Sequence, residues 1–186
     1  IKESKKCKEE IHQFLKEINL EKYENIFITQ GFDDLKIIIQ QTKNNFFISD
    51  NILKEIGVSK IADRAKILIR LLELSQKFDF SINQNIYNEN DNNLEQWLRD
   101  IGLSHYINNF HLCGYYNLEL IIIQNTTDFP INDEILIKEF GIINSIDRKL
   151  ILKSLDEIGN LFFRKVKQNQ KGDITKACTL MKKDKW

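Results

Sequence analysis

The chain has 186 residues, 42% hydrophobic and 29% charged, with one Pro and seven Gly. That composition argues against a chain disordered throughout and suits a soluble, folded helical protein. Formal net charge is zero, from 27 basic and 27 acidic residues, so no overall basic field points to nucleic acid.

The charge is unevenly placed. Residues 11–74 balance nine basic against nine acidic side chains, 94–158 hold ten acidic against five basic, and 159–186 hold eight basic against two acidic. An acidic second half argues against nucleic-acid binding there, because phosphate contacts need Lys and Arg on the surface. Cys7, Cys113 and Cys178 form no CxxC pair and are odd in number, which suits a reduced, cytoplasmic protein without a disulfide framework. No apolar run approaches the roughly 18 residues of a membrane span, and the charged start is not a signal peptide.

Residues 1–10 are polar and read as a frayed lead-in. From Ile11 the residues Ile11, Phe14, Leu15 and Ile18 follow the i, i+3, i+4, i+7 spacing of one buried helical face, and a first helix ends near Asn19. Leu20, Tyr23, Ile26 and Phe27 predict a short second helix that Gly31 stops. Asp33 or Asp34 caps a third element built on Leu35 and the Ile37-Ile38-Ile39 run. That run is β-branched, but a lone strand would leave its backbone unpaired, so the prediction is helix. A polar loop and the stretch from Phe46 follow, then Asp50 caps a fourth helix that Gly57 closes. The fifth, predicted to be the longest, begins after Ser59 and carries Ile61, Ala65, Leu68 and Leu72.

Residues 75–93 lose the helical period, are rich in Asn and read as a linker. Then the pattern repeats. Trp97 lies 83 positions after Phe14, and the same offset pairs Leu98, Ile101, Leu103, Tyr106, Phe110, Gly114 and Leu118 with Leu15, Ile18, Leu20, Tyr23, Phe27, Gly31 and Leu35. From Gly57 and Gly141 onward the offset is 84, which predicts one residue inserted in the middle loop. The matched residues are apolar positions and turn glycines, so what repeats is a core and its turns. Two units of this size are near the lower limit for independent hydrophobic cores. The expected division is a lead-in 1–10, a first unit 11–74, a linker 75–93, a second unit 94–167 with an extended last helix, and a basic tail 168–186. In that tail Ile174, Ala177, Cys178 and Met181 either form one face of a short helix or belong to a disordered segment.

The order Trp/Phe-Leu, Asn/Gly-Leu, Tyr, Phe, then Gly-Val/Ile followed by Arg and Ile-Leu, occurring twice, resembles the sterile alpha motif (SAM) domain. The resemblance covers 11–74 and 94–158, and the pairing looks most like the tandem SAM units of ankyrin-repeat adaptor and scaffold proteins, although no ankyrin repeat is present. It implies an all-α fold of two five-helix bundles. One departure is common to both copies: the family's Gly-His-Arg before the last helix reads Ala62-Asp63-Arg64 and Ile146-Asp147-Arg148. Aspartate there suits a helix start.

The resemblance also implies a function. SAM domains associate head to tail, the start of the last helix of one (the end-helix face) meeting an acidic middle surface of another (the mid-loop face). Carried over, the end-helix faces are Lys60, Ile61, Arg64 and Lys66, and Asn144, Ile146, Arg148 and Lys149. The middle faces are Asp33 and Asp34 with Glu55, and Glu119 with Asp133 and Glu134. Exposed ion pairs are worth only about 0 to 1 kcal/mol, so an apolar anchor such as Ile61 or Ile146 must carry tight association. The second copy has Tyr115-Tyr116-Asn117 where the first has Phe32-Asp33-Asp34. The arrangement this implies sets the second end-helix face of one chain on the first middle face of the next, giving a homo-oligomer.

No catalytic motif is found. His12, His105 and His111 lack the i, i+4 spacing of a zinc pair, and no phosphate loop or nucleophile elbow occurs. The expectation is therefore a non-enzymatic interaction module without cofactor or metal, binding itself or another SAM-containing protein. Two alternatives stay open: an RNA- or DNA-binding module using residues 159–186, and a regulatory oligomerisation fragment of a larger enzyme.

Overall fold

A computed structural model describes residues 2–44, 48–75 and 93–161. Among them the chain is helical, with no strand. Repeat one contains α1 (Lys2–Glu17), a 3-10 turn (Glu21–Tyr23), α2 (Glu24–Thr29), α3 (Leu35–Lys43), α4 (Asp50–Glu55) and α5 (Ile61–Leu74). Repeat two gives the same order: α6 (Asn93–Asp100), a 3-10 turn (Ser104–Tyr106), α7 (Ile107–Leu112), α8 (Leu118–Gln124), α9 (Asp133–Lys138) and α10, residues 145–161. Phe46, the linker at 76–92, the continuation of α10 and the basic tail lie outside the described residues.

The apolar spacing places these helices. Ile11, Phe14 and Leu15 are buried on one face of α1, with Ile18 buried just beyond its end, and the counterparts Leu94, Trp97 and Leu98 are buried on α6. Trp97 packs edge-on to Phe110 and donates its indole N–H to Ser154 Oγ at 2.8 Å, which satisfies the one polar atom of a buried ring. The Ile37-Ile38-Ile39 run is helical, as its lack of a partner strand predicts: successive residues of a helix face about 100° apart, so Ile38 is buried while Ile37 is 55% exposed. Each first helix ends on a left-handed residue, Asn19 (φ 59°) and Gly102 (φ 75°), which lets Leu20 and Leu103 turn their amides back to the carbonyls of Leu15 and Leu98.

Four local expectations are corrected. Helix α1 begins at Lys2 rather than near Ile11, and at 16 residues it is longer than α5 with 14. The second helix is split into a 3-10 turn and α2. Ser49, not Asp50, caps α4, its Oγ accepting from the Ile52 amide at 3.3 Å, while Asp50 is the first helical residue and binds Arg64. Finally, the extra residue of repeat two is not in the middle loop. The caps Asp34 and Asn117, and Ser49 and Asn132, are all 83 apart, so the insertion lies after α9.

The buried apolar residues of both repeats belong to one continuous cluster. Repeat one meets repeat two along α5, which packs against α8. Thr42, Ile48, Leu68, Leu71 and Leu72 of repeat one and Asp128 and Phe129 of repeat two enclose a small apolar cavity of about 30 Å³ at the same junction.

Candidate functional site

In each repeat the turn before the last helix is held by one arginine. Arg64 Nε donates to Asp50 Oδ1 at 2.7 Å, and its Nη1 donates to the carbonyls of Val58 and Ser59 at 3.1 and 2.8 Å. Arg148 repeats this with Asp133 at 2.7 Å and the carbonyls of Ile142 and Ile143. A guanidinium has donors enough to tie a helix start to two free carbonyls and still meet a carboxylate. The preceding aspartates are likewise matched: Asp63 accepts from Tyr23 Oη and Asp147 from Tyr106 Oη, both at 2.8 Å. Burial and the neighbouring carboxylate push the Tyr23 hydroxyl well above its usual range, and the Tyr106 hydroxyl upward for the same reasons.

The two turns then differ in what lies over them. At the start of α5 the Ala62 amide donates to the Cys113 carbonyl of repeat two at 3.2 Å. A Cβ placed on Gly114, whose φ is +90°, would stand 3.2 Å from Lys60 Cδ and 3.3 Å from Ala62 Cβ. Glycine is therefore required both for the left-handed turn and for the close approach of repeat one. Lys54 Nζ donates to Glu139 Oε1, and the same oxygen lies 3.6 Å from Arg64 Nη2. The Cys113 thiol donates to the Glu139 carbonyl at 3.2 Å. Burial, then the Glu139 charge, pushes that thiol up to about 12, so it is protonated at neutral pH.

The sequence-derived residues thus fall into two groups. Ile61, Arg64 and Lys66 are buried and Lys60 half-buried, and Lys60 and Arg64 lie against repeat two within the same chain. The matching face of repeat two is open. Ile146 is 74% exposed, Lys149 is exposed, and they are joined by Ile143 at 73% and Leu150 at 39%. Asn144 caps α10, its Oδ1 accepting from the Ile146 amide at 2.9 Å, and Arg148 is committed to its turn. On the middle surface of repeat one Asp33 is half-buried, while Asp34 caps α3 through the Lys36 and Ile37 amides at 3.0 and 3.2 Å. On repeat two Glu119 is half-buried in the first turn of α8, Asp133 holds Arg148 and Glu134 pairs with Lys138. Glu55 is exposed.

Sequence reasoning missed Glu139, Cys113, Ile143, Leu150 and the Tyr–Asp pairs. The pairs carried a signal, since Tyr23 and Asp63 both recur in register as Tyr106 and Asp147. Among the described residues no group of His, Cys, Asp and Glu could hold a metal ion. No described helix is long and apolar enough to cross a membrane.

Two five-helix bundles with matching turns agree with comparison to known families. Residues 4–75 match one SAM domain (sterile alpha motif) model, and residues 87–158 match a second. The chain belongs to the SAM family. Its tandem SAM domains are similar to part of the ankyrin repeat and sterile alpha motif domain-containing protein 1B of Danio rerio, 29% identical over 113 residues. The match covers 60% of this chain and 8% of that relative's length. No solved structure matches the chain. SAM domains are protein-interaction modules.

Proposed function

We propose that the chain is a non-enzymatic scaffold or adaptor module that associates head to tail through SAM surfaces. The start of α10 on one chain seats on the middle surface of repeat one on the next. The observation that carries this reading is the exposure of Ile146, beside the exposed Ile143 and Leu150, at a position whose counterpart in repeat one, Ala62, is buried against the second SAM domain. Burying such side chains contributes roughly 1.5 to 3 kcal/mol each when complete, far more than the exposed charges beside them.

The middle surface of repeat one has the shape to receive them. Gly31 corresponds to Gly114, yet a Cβ there would meet nothing within 4 Å, so the space that Lys60 and Ala62 fill on repeat two is open on repeat one. Ile146 stands where repeat one has Ala62, and at the uncovered Gly31 turn no neighbour stands in the way of a side chain larger than alanine. Asp33 and the 55% exposed Ile37 follow Gly31 in the chain, and on this reading they offer a carboxylate to Lys149 and an apolar contact to the isoleucines.

Light scattering over a concentration series at low and high salt tests this. Mass should rise with concentration and fall only modestly with salt. Ile146→Asp and Asp33→Lys should each leave a monomer, and an equimolar mixture of the two variants should recover a dimer, because each keeps one intact face. A parent chain monomeric throughout would sink self-association and leave another SAM-containing protein as the partner.

A further inference from the structure

We infer that Glu139, in the turn where repeat two holds one residue more than repeat one, selects which SAM surfaces dock within the chain. The offset between repeats is 83 at Leu53 and Leu136 and 84 at Gly57 and Gly141, so the extra residue lies between Leu136 and Gly141. After α4 the capping residue Ile56 runs directly into Gly57. After α9 the capping residue is Glu139, and Phe140 intervenes before Gly141.

The backbone records the same difference. In repeat one the Val58 amide donates to Leu53 O at 2.9 Å, spanning five residues. In repeat two the Ile142 amide donates to Leu136 O at 2.9 Å, spanning six. The wider turn is pinned from α7: Asn109 Nδ2 donates to Phe140 O at 2.7 Å, and Cys113 Sγ donates to Glu139 O. The aligned positions in repeat one are Ile26 and Gln30, so the first pin has no donor there. The turn so held places the Glu139 carboxylate, 19% exposed, against Lys54 and Arg64 of the other repeat.

Arg64 is the group that needs it. Its side chain is fully buried, and Nη2 has no hydrogen-bond partner among the described residues; the Glu139 carboxylate at 3.6 Å is the charge that faces it. Asp50 already meets the guanidinium at Nε, but a buried donor left facing neither acceptor nor charge costs free energy, so a surface lacking this carboxylate covers the α5 start less favourably. Repeat one has the shorter turn, and its acidic residue there, Glu55, is exposed. Repeat two is therefore the receiving partner, and this holds whether or not the free faces associate.

The test uses the full chain carrying Cys7→Ser and Cys178→Ser, so that Cys113 is the only thiol. The Ala62 amide, bonded to Cys113 O across the junction, is followed by hydrogen exchange, and Cys113 by its labelling rate. Glu139→Gln should accelerate both by about tenfold or more, the loss of one charged hydrogen-bonded pair, while the Leu20 and Leu103 amides inside each repeat keep their protection. Lys54→Ala, at an exposed side chain that leaves folding intact, should accelerate both by a smaller factor. Unchanged Ala62 exchange and Cys113 labelling in Lys54→Ala and Glu139→Gln would overturn the assignment, as would equal acceleration of the Leu20 and Leu103 amides.

Discussion

The starts of α5 and α10 are built from the same parts and meet opposite fates. Each has an arginine tying two carbonyls and a carboxylate, and each has an aspartate bonded to a tyrosine. Yet Ala62 is wholly buried, while its counterpart Ile146 is about three-quarters exposed. What distinguishes them is the neighbour: α5 rests on α8 and the Cys113–Gly114 turn. The side chains have diverged accordingly. Where close approach to Gly114 demands a small residue, repeat one has Ala62; where the space is open, repeat two has Ile146. A repeated motif thus serves one copy as an internal joint and the other as an external surface.

The comparison breaks most sharply at the arginines. Arg64→Ala should cost about 3 to 5 kcal/mol, because it leaves the Val58 and Ser59 carbonyls and the Asp50 carboxylate without their donor and removes the cation that faces Glu139. Arg148→Ala should cost less, about 1 to 2 kcal/mol, because its Asp133 partner is 53% exposed and rehydrates. Denaturant midpoints of the two variants measure the difference, and equal losses would mean that docking adds nothing to Arg64. The glycines give the next largest contrast. Both Gly31→Ala and Gly114→Ala incur about 1 kcal/mol of left-handed strain, but only Gly114→Ala also collides with Lys60 and Ala62. It should lose roughly 1 kcal/mol more and expose Cys113 to labelling.

A smaller effect concerns pH. The Cys113 thiol is raised from 9.0 to about 12 in the folded chain. A raised thiol favours the protonated, folded form, so its contribution is complete below about pH 9 and is lost as pH rises toward 12. Cys113→Ala should flatten that part of a stability-against-pH curve; an identical slope in the variant would show that the thiol is not the group responsible. The raised Tyr23 hydroxyl acts in the same direction at still higher pH. Smallest of all is the stability change from Ile146→Asp, expected within about 0.5 kcal/mol because the side chain is exposed. A large loss of stability there would mean that Ile146 belongs to the core.

Much of this was legible in the residues. The 3.6 spacing of Ile11, Phe14, Leu15 and Ile18 fixed a buried face, since only a helix brings those side chains together. The second copy, in register from Trp97 to Leu118, confirmed the pattern independently. The capping of α4 was less legible, because Ser49 and Asp50 are both good cap formers and only the position of Arg64 draws Asp50 away. The insertion was misplaced because the middle loops of the two repeats have dissimilar sequences, so nothing between Leu35 and Asp50 marks where the offset changes.

Sequence alone determined two SAM bundles, their cores and their turns, because burial periodicity and left-handed turn residues are local properties. It also supplied both end-helix sets, Lys60, Ile61, Arg64 and Lys66, and Asn144, Ile146, Arg148 and Lys149, as equivalent. Only the tertiary structure decided that they are not. Whether a face is a joint or a surface depends on residues distant in the chain, here Gly114 admitting Ala62 and Glu139 facing Arg64, and no local pattern encodes such a pairing.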